Sequence, residues 1–301
     1  MISRLTTSAA LLFCLTSTAA SQTHSVIEKD ATVLGFKIHY LEAGNGSPVV
    51  LLHGLGGDGS RWAPNIGPLA ASFRIIAPDQ IGFGQSDKPL ANYHTGMLSE
   101  FLIEFLKVIG IPKASLVGNS MGAGVAAYTA IHYPDTVDRL ILSDMPPYRL
   151  PAGAAAPPPR DPHWRQIQNG VTRQETREFF RILFHNKSLV TDAMVDENLE
   201  LRLRSAFTIS KLLESGASGI GGMTEEEMRT IKAPTLIVWG KYDELVGPPE
   251  RTGERLLRDI SGSRLVVIDN AGHLPQLEQA DDFNRVVTDF LKLGGTSSST
   301  R

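Results

Sequence analysis

The feature that most constrains this chain is the pentapeptide Gly118-Asn119-Ser120-Met121-Gly122. An apolar run, Ser115 to Val117, precedes it, and a stretch of small residues, Ala123 to Tyr133, follows it. This order predicts a buried strand, a sharp turn and a helix, with Ser120 at the tip of the turn. Glycines flank the serine because a strained turn leaves no room for Cβ atoms where strand and helix approach each other. The alternative is an ordinary serine in a glycine-rich turn, so the surrounding chain has to decide.

Two later residues have the chemistry that a serine nucleophile needs. A serine hydroxyl is a weak nucleophile unless a neighbouring base takes its proton. Asp243 follows the apolar run Ala233 to Trp239, and His273 follows the run Arg264 to Ile268. Because parallel strands end at the same edge of a sheet, residues that are distant in the sequence can meet there. The sequence therefore predicts a catalytic triad of Ser120, Asp243 and His273.

Apolar runs and helical patterns alternate along most of the chain, which indicates right-handed βαβ crossovers. Residues Thr32 to Leu41 alternate as an antiparallel pair or a bent edge strand would. We therefore expect an α/β fold with a mostly parallel, doubly wound sheet. Further strands are predicted at residues 48–52, 74–79, 115–117, 139–143, 233–239 and 264–268, and an amphipathic helix at 97–109.

The composition changes at Pro146, where a proline-rich and alanine-rich segment begins. Residues 161–228 contain no strong strand run, but Gln174 to His185 and Asp192 to Leu203 have helical patterns. We interpret residues 146–230 as a linker and an inserted helical cap over the edge of the sheet where ligands bind. The hydrolytic core would then comprise residues 21–145 and 231–293.

The first 20 residues predict a secretory signal peptide. One arginine, Arg4, precedes an apolar stretch from Ala9 to Leu15, and small residues follow at Thr18 to Ala20. The apolar stretch is too short to span a bilayer. The sequence thus predicts an exported protein, periplasmic or secreted, and a disordered tail over residues 294–301.

Composition limits the partners. With 42% hydrophobic and 20% charged residues and a net charge of −3, the chain is typical of a soluble globular protein. It has no basic cluster of the kind that binds nucleic acid. No later run is apolar for long enough to cross a membrane. We expect a small-molecule substrate as the partner, and the sequence leaves the oligomeric state open.

A second glycine-rich segment, His53 to Gly59, follows the strand predicted at residues 48–52. It lacks the lysine and hydroxyl residue of a P-loop and the glycine spacing of a dinucleotide fingerprint, so no nucleotide cofactor is predicted, nor any metal. A loop free of bulky side chains is suited to direct backbone N–H groups at a developing oxyanion. The alternative is a flexible surface loop.

Together these motifs resemble the α/β-hydrolase superfamily, in the branch with an HG-type oxyanion loop and a helical cap. The resemblance implies that Ser120 attacks a carbonyl, His273 takes and returns the proton, and Asp243 orients the imidazole. It also implies that the N–H groups of Leu55 and Met121 form the oxyanion hole. The resemblance covers residues 30–292 and is carried by residues 53–57, 79–89, 118–122, 240–243 and 272–273.

Other acids compete with Asp243 for its role. Asp79 also ends a strand, but an aspartate before Gly-x-Gly is suited to holding a turn, so we interpret it as structural. Asp144 follows the strand that ends at Ser143, where some relatives place the acid. Glu244 would replace Asp243 only if the loop register shifted.

Residues near the nucleophile are candidates for substrate binding. We expect Asn119 and Trp62 to contact the substrate, with Asn65 as a further candidate, although aromatic packing is an alternative role for Trp62. His53 is interpreted as a structural partner of its own loop rather than as a base.

The serine at position 120 distinguishes among the reactions that enzymes of this fold catalyse. Epoxide hydrolases and haloalkane dehalogenases of this fold have an aspartate at the elbow, so Ser120 argues against both. Hydrolysis of a carboxylic ester through an acyl-enzyme is our first expectation. The alternatives are a lactonase, an amidase or a carbon–carbon hydrolase of the meta-cleavage type, whose elbow is similar. That last group usually has a proline where this chain has Gly57 and a tryptophan where it has Leu274.

Overall fold

The computed structural model describes residues 25–149, 162–215 and 222–293. An eight-stranded sheet with the strand order β1-β2-β4-β3-β5-β6-β7-β8 forms its centre. The strands are β1 (Ile27–Val33), β2 (Phe36–Ala43), β3 (Pro48–Leu52), β4 (Arg74–Pro78), β5 (Ala114–Asn119), β6 (Val137–Ser143), β7 (Thr235–Gly240) and β8 (Arg264–Ile268).

The sheet is parallel from β4 to β8, and its first two strands are antiparallel. The alternation at residues 32–41 thus belongs to a hairpin rather than to one bent strand. Leu34 and Gly35 form its turn with φ values of 51° and 84°, a conformation that glycine adopts without strain. The predicted α/β-hydrolase architecture is confirmed.

Helices cover both faces of the sheet. Two clusters of buried apolar residues lie against it, one including Leu52, Leu116 and Leu142, the other Leu51, Val117 and Ile141. Neighbouring residues of one strand alternate between the two clusters, as expected for a strand buried on both faces. The core helices are α1 (Ala63–Ala70), α2 (Thr95–Val108), α3 (Met121–His132), α9 (Gly253–Asp259), α10 (Pro275–Glu278) and α11 (Ala280–Lys292).

The insertion between β6 and β7, here called the cap, is helical in its described part. It has an apolar cluster of its own around Phe179, Phe180 and Leu183. In the described part of this insertion no strand occurs. Its helices are α4 (Pro162–Asn169), α5 (Arg173–Leu183), α6 (Asp192–Arg204), α7 (Ala206–Glu214) and α8 (Glu225–Met228).

The predicted signal peptide, the predicted disordered tail and most of the proline-rich linker lie outside the described residues. Within the described residues, none of the helices has the length and apolar character needed to cross a bilayer.

Candidate active site

Ser120 occupies a strained turn between β5 and α3. Its φ of 55° and ψ of −121° lie outside the ordinary regions for a residue with a Cβ atom. The Ser120 N–H donates to the carbonyl oxygen of Ser143 over 2.9 Å, which ties the turn to the end of β6. Strained backbone persists where the surroundings over-determine it, and such positions cluster at functional sites.

Glycine is required on both sides of this serine. A Cβ atom at Gly122 would lie 2.1 Å from the carbonyl oxygen of Leu52, and one at Gly118 would lie 2.3 Å from that of Gly122. No side chain fits at such distances from fixed backbone. The sequence pattern of the elbow thus has a direct steric cause.

His273 and Asp243 are joined by a hydrogen bond of 2.7 Å between Nδ1 and Oδ2. Both side chains are buried. The other oxygen of Asp243 accepts from the N–H groups of Leu245 and Val246, over 2.7 and 3.0 Å. These contacts fix the carboxylate, which in turn orients the imidazole.

The loop that carries His273 is held from two sides. The N–H of His273 donates to the carbonyl oxygen of Leu183 in the cap over 2.7 Å. The carbonyl oxygen of His273 accepts from Asn119 Nδ2 over 3.1 Å. Nε2 of His273 has no hydrogen-bond partner among the described residues. The bond from Ser120 to Nε2 is therefore not formed in this structure, and catalytic hydrogen bonds of this kind often tighten only with substrate bound.

The glycine-rich loop lies against the nucleophile. A Cβ atom at Gly54 would stand 3.3 Å from Cβ of Ser120. Leu55 follows on this loop, and Met121 is the first residue of α3, where N–H groups have no intrahelical partner. Both residues are thus close to Ser120 in the chain or in space, and the oxyanion hole that they would form stays a prediction.

Two polar residues beside the site have structural contacts. His53 Nδ1 donates to the carbonyl oxygen of Gly54 over 2.8 Å, and Nε2 accepts from the N–H of Gln80 over 3.1 Å. Asp79 accepts from the N–H groups of Gly59 and Gln85 over 2.8 and 2.7 Å. Both residues hold loops together, in keeping with the interpretation made from the sequence.

Asp144 and Glu244, the other candidate acids, are not bonded to His273. Glu244 is exposed and forms an ion pair of 2.8 Å with Lys187. Asp144 is fully buried, and each of Asp144, Asp243 and His273 places one potential metal-ligand atom within 4.8 Å of the others. The Asp243–His273 hydrogen bond is the geometry of a triad.

The expectation that Trp62 contacts substrate is wrong. Trp62 is fully buried and packs against Phe283 in the apolar cluster on one face of the sheet. Asn65 is buried as well and donates to the side chain of Asn284 over 2.8 Å. Their contacts hold α1 against α11. Trp62 and Asn65 lie in the first turn after the glycine-rich loop, and this turn directs both side chains away from the cavity. Asn119 does line the cavity.

The cavity beside Ser120 lies between the sheet edge and the cap. It has a volume of about 130 Å³ and a predominantly apolar lining. The core contributes Ser120 and His273 to the lining, and the cap contributes bulky apolar side chains. The lining includes Ser120, His273, Pro146, Phe179, Leu183 and Leu245.

A smaller cavity adjoins it and contains a cation that the sequence analysis missed. Its lining includes Arg61, Phe180 and Gln276, and it shares Leu55 and Asn119 with the larger cavity. The Arg61 guanidinium lies 5.2 Å from the ring centre of Phe180. In the described part of the chain no carboxylate lies within 4 Å of it. The sequence offers no signal for this role, since an arginine beside a tryptophan could equally face solvent.

Another arginine, Arg202, is buried behind the same loop. A Cβ atom at Gly56 would stand 3.2 Å from its Nη1. Burial and the charge of Arg61 lower the pKa of Arg202 to about 10, which still leaves it charged at neutral pH. Nε donates to the carbonyl oxygen of Gly170 over 3.0 Å, and Nη2 donates to that of Gln168. Among the described residues, neither arginine has a carboxylate within 4 Å, and burying a cation is costly unless an anion accompanies it.

Comparison with known proteins places the chain among enzymes of related architecture. A family model described as alpha/beta hydrolase fold matches residues 47–280. A 2-hydroxy-6-oxo-6-phenylhexa-2,4-dienoate hydrolase from Comamonas testosteroni is 32% identical over 287 residues, which cover 92% of this chain and 98% of that protein.

Two solved structures of hydrolases are similar to this chain over most of its length. A meta-cleavage product hydrolase from Pseudomonas fluorescens has a TM-score of 0.76 at 29% identity, with 88% of this chain and 97% of that chain covered. A 2-hydroxy-6-oxo-6-phenylhexa-2,4-dienoate hydrolase from a Rhodococcus species has a TM-score of 0.77 at 26% identity, with 90% and 100% covered.

Proposed function

The chain belongs to the α/β-hydrolase family and is a hydrolase, and from this premise we propose that it cleaves a carbon–carbon bond in a 2-hydroxy-6-oxo-dienoate. The observation that carries this proposal is the similarity to a dienoate hydrolase over 92% of this chain. It favours the alternative reaction over the carboxylic ester that we expected first.

The proposed triad can perform this reaction by acyl transfer. His273 Nε2 takes the proton of Ser120, whose Oγ attacks the C6 ketone, and the N–H groups of Leu55 and Met121 stabilise the oxyanion. When the oxyanion collapses, the C5–C6 bond breaks. This cleavage requires the 2-keto tautomer of the substrate, which forms when the proton of the 2-hydroxyl group moves to C5. The electron pair of the broken bond then passes through the C3=C4 double bond to the oxygen at C2, and the resulting dienolate takes the proton from His273. Water, activated by His273, then releases the acyl group from Ser120 as a carboxylic acid.

The cavities support a substrate with one apolar and one anionic end. The larger cavity is mostly apolar, so it suits a phenyl or alkyl group next to the ketone. Arg61 in the adjoining cavity suits the dienoate carboxylate, because a guanidinium matches a carboxylate in charge and geometry. Burial lowers the pKa of Arg61, whereas the carboxylates of Asp58 and Glu197 raise it.

Gly57 gives this arrangement a steric basis. A Cβ atom there would lie 2.9 Å from Cγ of Arg61. The glycine that departs from the usual loop of the meta-cleavage group therefore leaves room for the arginine. With a glycine at position 57 and an arginine at position 61, this chain can hold the proposed carboxylate-binding cation on the core.

A substrate comparison tests the proposal. The purified protein would be assayed with 2-hydroxy-6-oxo-6-phenylhexa-2,4-dienoate and with p-nitrophenyl butyrate, with Ser120→Ala as the control for both. We expect kcat/KM for the dienoate to exceed that for the ester by at least about a hundredfold, since only the dienoate can use the cation. Turnover of the ester without turnover of any ring-fission dienoate would contradict the proposal.

A carboxylic ester is the second candidate, favoured by one observation. Leu274 follows His273 where the meta-cleavage group usually has a tryptophan, and Leu274 lines both cavities. The same triad and oxyanion hole would hydrolyse an ester without any further group.

We also propose that the protein is exported by its N-terminal signal sequence. Arg4, the apolar stretch from Ala9 and the small residues before Ser21 support this. N-terminal sequencing of the protein from periplasmic and culture fractions is the test, and recovery only of uncleaved protein in the cytoplasm would contradict it.

A further inference from the structure

Asp144 is a buried carboxyl group that the proposed mechanism does not use. It directly follows β6, at the point where the chain leaves the sheet for the cap, and it has no exposed surface. Its φ is 45°, an uncommon value for a residue with a Cβ atom. Such a position requires contacts that hold it in place.

Three hydrogen bonds hold Asp144. Its N–H donates to the carbonyl oxygen of Val238 over 3.1 Å. Oδ1 accepts from the N–H of Gly240 over 2.9 Å, and Oδ2 accepts from the hydroxyl of Ser143 over 2.8 Å. Asp144 thus bridges the ends of β6 and β7, and the second of these strands leads directly to Asp243.

The carboxyl group of Asp144 also faces Asp243. A carboxyl oxygen of each residue and a ring nitrogen of His273 lie within 4.8 Å of one another. Among the described residues, no lysine or arginine lies within 4 Å of Asp144, so His273 is the only basic group beside it. Two carboxyl groups this close and this buried cannot both ionise without a large cost.

The hydrogen bonds decide which of the two carries the proton. Asp243 accepts three N–H bonds, from Leu245, Val246 and His273. Asp144 accepts one N–H bond and one hydroxyl bond. Burial first, and then the charge of Asp243, raise the pKa of Asp144 well above its ordinary value.

We propose that Asp144 is a protonated carboxylic acid that donates a hydrogen bond to Asp243, so that it positions the acid of the triad without adding a second negative charge beside His273. This inference rests on the triad of the proposed function but not on its substrate. A second carboxylate would stabilise the imidazolium further, and a base whose pKa lies far above the working pH is a poor one. Asp144 is therefore a positioning residue.

Three variants separate this role from a merely structural one. Asp144→Asn replaces the acid by a neutral amide of the same shape, with an oxygen for Gly240 and an N–H group for Asp243. Asp144→Ala removes both. Asp138→Asn is the matched control, because Asp138 lies on β6, the strand that Asp144 follows, and has an exposed side chain.

Infrared spectroscopy of the whole protein at neutral pH gives the direct measurement. We expect the carbonyl band of a buried protonated carboxylic acid in the wild type and in Asp138→Asn, and its loss in Asp144→Asn. If the wild type lacks such a band, or if Asp144→Asn retains it, the proposal is overturned. This measurement needs no substrate, so it remains valid if the dienoate proves wrong.

The rate at which a fluorophosphonate labels Ser120 reports on His273 without a natural substrate. Asp144→Asn should label at about the wild-type rate with the same midpoint pH. Asp144→Ala should label about tenfold more slowly, because two buried donors lose their acceptor. A fall of about one unit in the midpoint of Asp144→Asn would mean that wild-type Asp144 is charged, and would overturn the proposal.

Thermal unfolding across pH provides a second check that is independent of activity. The folded protein keeps the Asp144 proton above the pH at which the unfolded chain loses it, so the contribution of Asp144 to the free energy of unfolding falls as pH rises above 3.8. Asp144→Asn has no carboxyl group at this position, so its free energy of unfolding does not contain this decrease with pH. The Tm of Asp144→Asn relative to the wild type should therefore increase with pH, and a difference that stays constant or decreases would contradict the proposal.

Discussion

The sheet edge and the cap build their halves of the site by different means. Backbone hydrogen bonds within the core hold Ser120 and Asp243, through the carbonyl oxygens of Ser143 and Gly240 over 2.9 and 3.2 Å. The cap presents side chains from α5, among them Phe179 and Leu183, which pack in an apolar cluster. Backbone geometry tolerates few substitutions, whereas an apolar lining tolerates many if its volume is kept.

One hydrogen bond joins the core and the cap at His273. The carbonyl oxygen of Leu183, at the end of α5, accepts from the N–H of His273 over 2.7 Å. Glu278 adds to this link, because its carboxylate accepts from the N–H groups of Gly272 in the core and His185 in the cap, over 2.6 and 3.1 Å. The cap therefore does more than shape the pocket, since it also holds the loop of the base.

The core also anchors the segments at which the cap begins and ends. Arg255 on α9 donates to the carbonyl oxygens of Tyr148 and Arg149, over 3.3 and 2.7 Å, and its guanidinium lies 3.8 Å from the ring centre of Tyr148. The Arg149 N–H donates to the carbonyl oxygen of Met223 over 2.9 Å, which pairs the two connecting segments. The two regions therefore differ in what they contribute to the cavity: the core holds Ser120 and Asp243 through backbone hydrogen bonds, and the cap adds apolar side chains.

Loss of the nucleophile should have the largest effect. Ser120→Ala is expected to lower kcat by a factor of about 10⁴ or more, for dienoate and ester alike, because triad residues act as a unit. Initial rates with both substrates check this. An unchanged Tm would confirm that the variant is folded, and retention of full activity on either substrate would contradict the role of Ser120.

The second largest effect is expected from a substitution that disturbs the close packing around the turn at Ser120. A methyl group at position 122 must displace the backbone of Leu52, so Gly122→Ala should lower the free energy of unfolding by about 3 kcal/mol and reduce activity on every substrate. Denaturant unfolding measures this. The control is Gly67→Ala, since Gly67 lies in α1 with nothing within 4 Å of its Cβ position, and we expect no destabilisation there. Equal stability of the two variants would count against a sterically fixed elbow.

Removal of the cation beside the cap should have the smallest and most selective effect. Arg61→Gln is expected to lower kcat/KM for the dienoate by about 10- to 100-fold, mainly through KM, because a charged hydrogen bond to the carboxylate is lost. A neutral ester should lose less. Arg204→Gln is the matched control, because Arg204 is exposed and paired with Glu200. Equal losses for dienoate and ester would mean that Arg61 supports the fold rather than the carboxylate.

The sequence predicted the parts of the molecule that depend on local geometry. The predicted strand at residues 139–143 lies within β6 and that at 264–268 matches β8, because each is an apolar run of strand length. The predicted helix at 97–109 differs from α2 by two residues at its start and one at its end. The Ser120, Asp243 and His273 motifs each follow a strand, so the parallel sheet alone brings them to one edge.

The sequence did not predict which side chains the cavity would contain. Trp62 and Arg61 are neighbours in the chain, yet the first is buried in the core and the second lines the smaller cavity. The turn of a short helix at Gly59–Trp62 directs them to opposite sides. No periodic pattern in the sequence distinguishes Arg61 from Trp62, because the helix is shorter than the window of residues needed to recognise its buried face.

By itself, the sequence determined the α/β fold, the positions of Ser120, Asp243 and His273 beyond the ends of strands, and the need for glycine at the elbow, since all three follow from local spacing and the termini of parallel strands. Only the tertiary structure decided that Arg61 and Arg202 lie together with no carboxylate within 4 Å among the described residues, that Leu183 in the cap holds His273, and that Asp144 faces Asp243. These contacts join residues far apart in the chain, and the free energy of a buried charge depends on what surrounds it rather than on its position in the sequence.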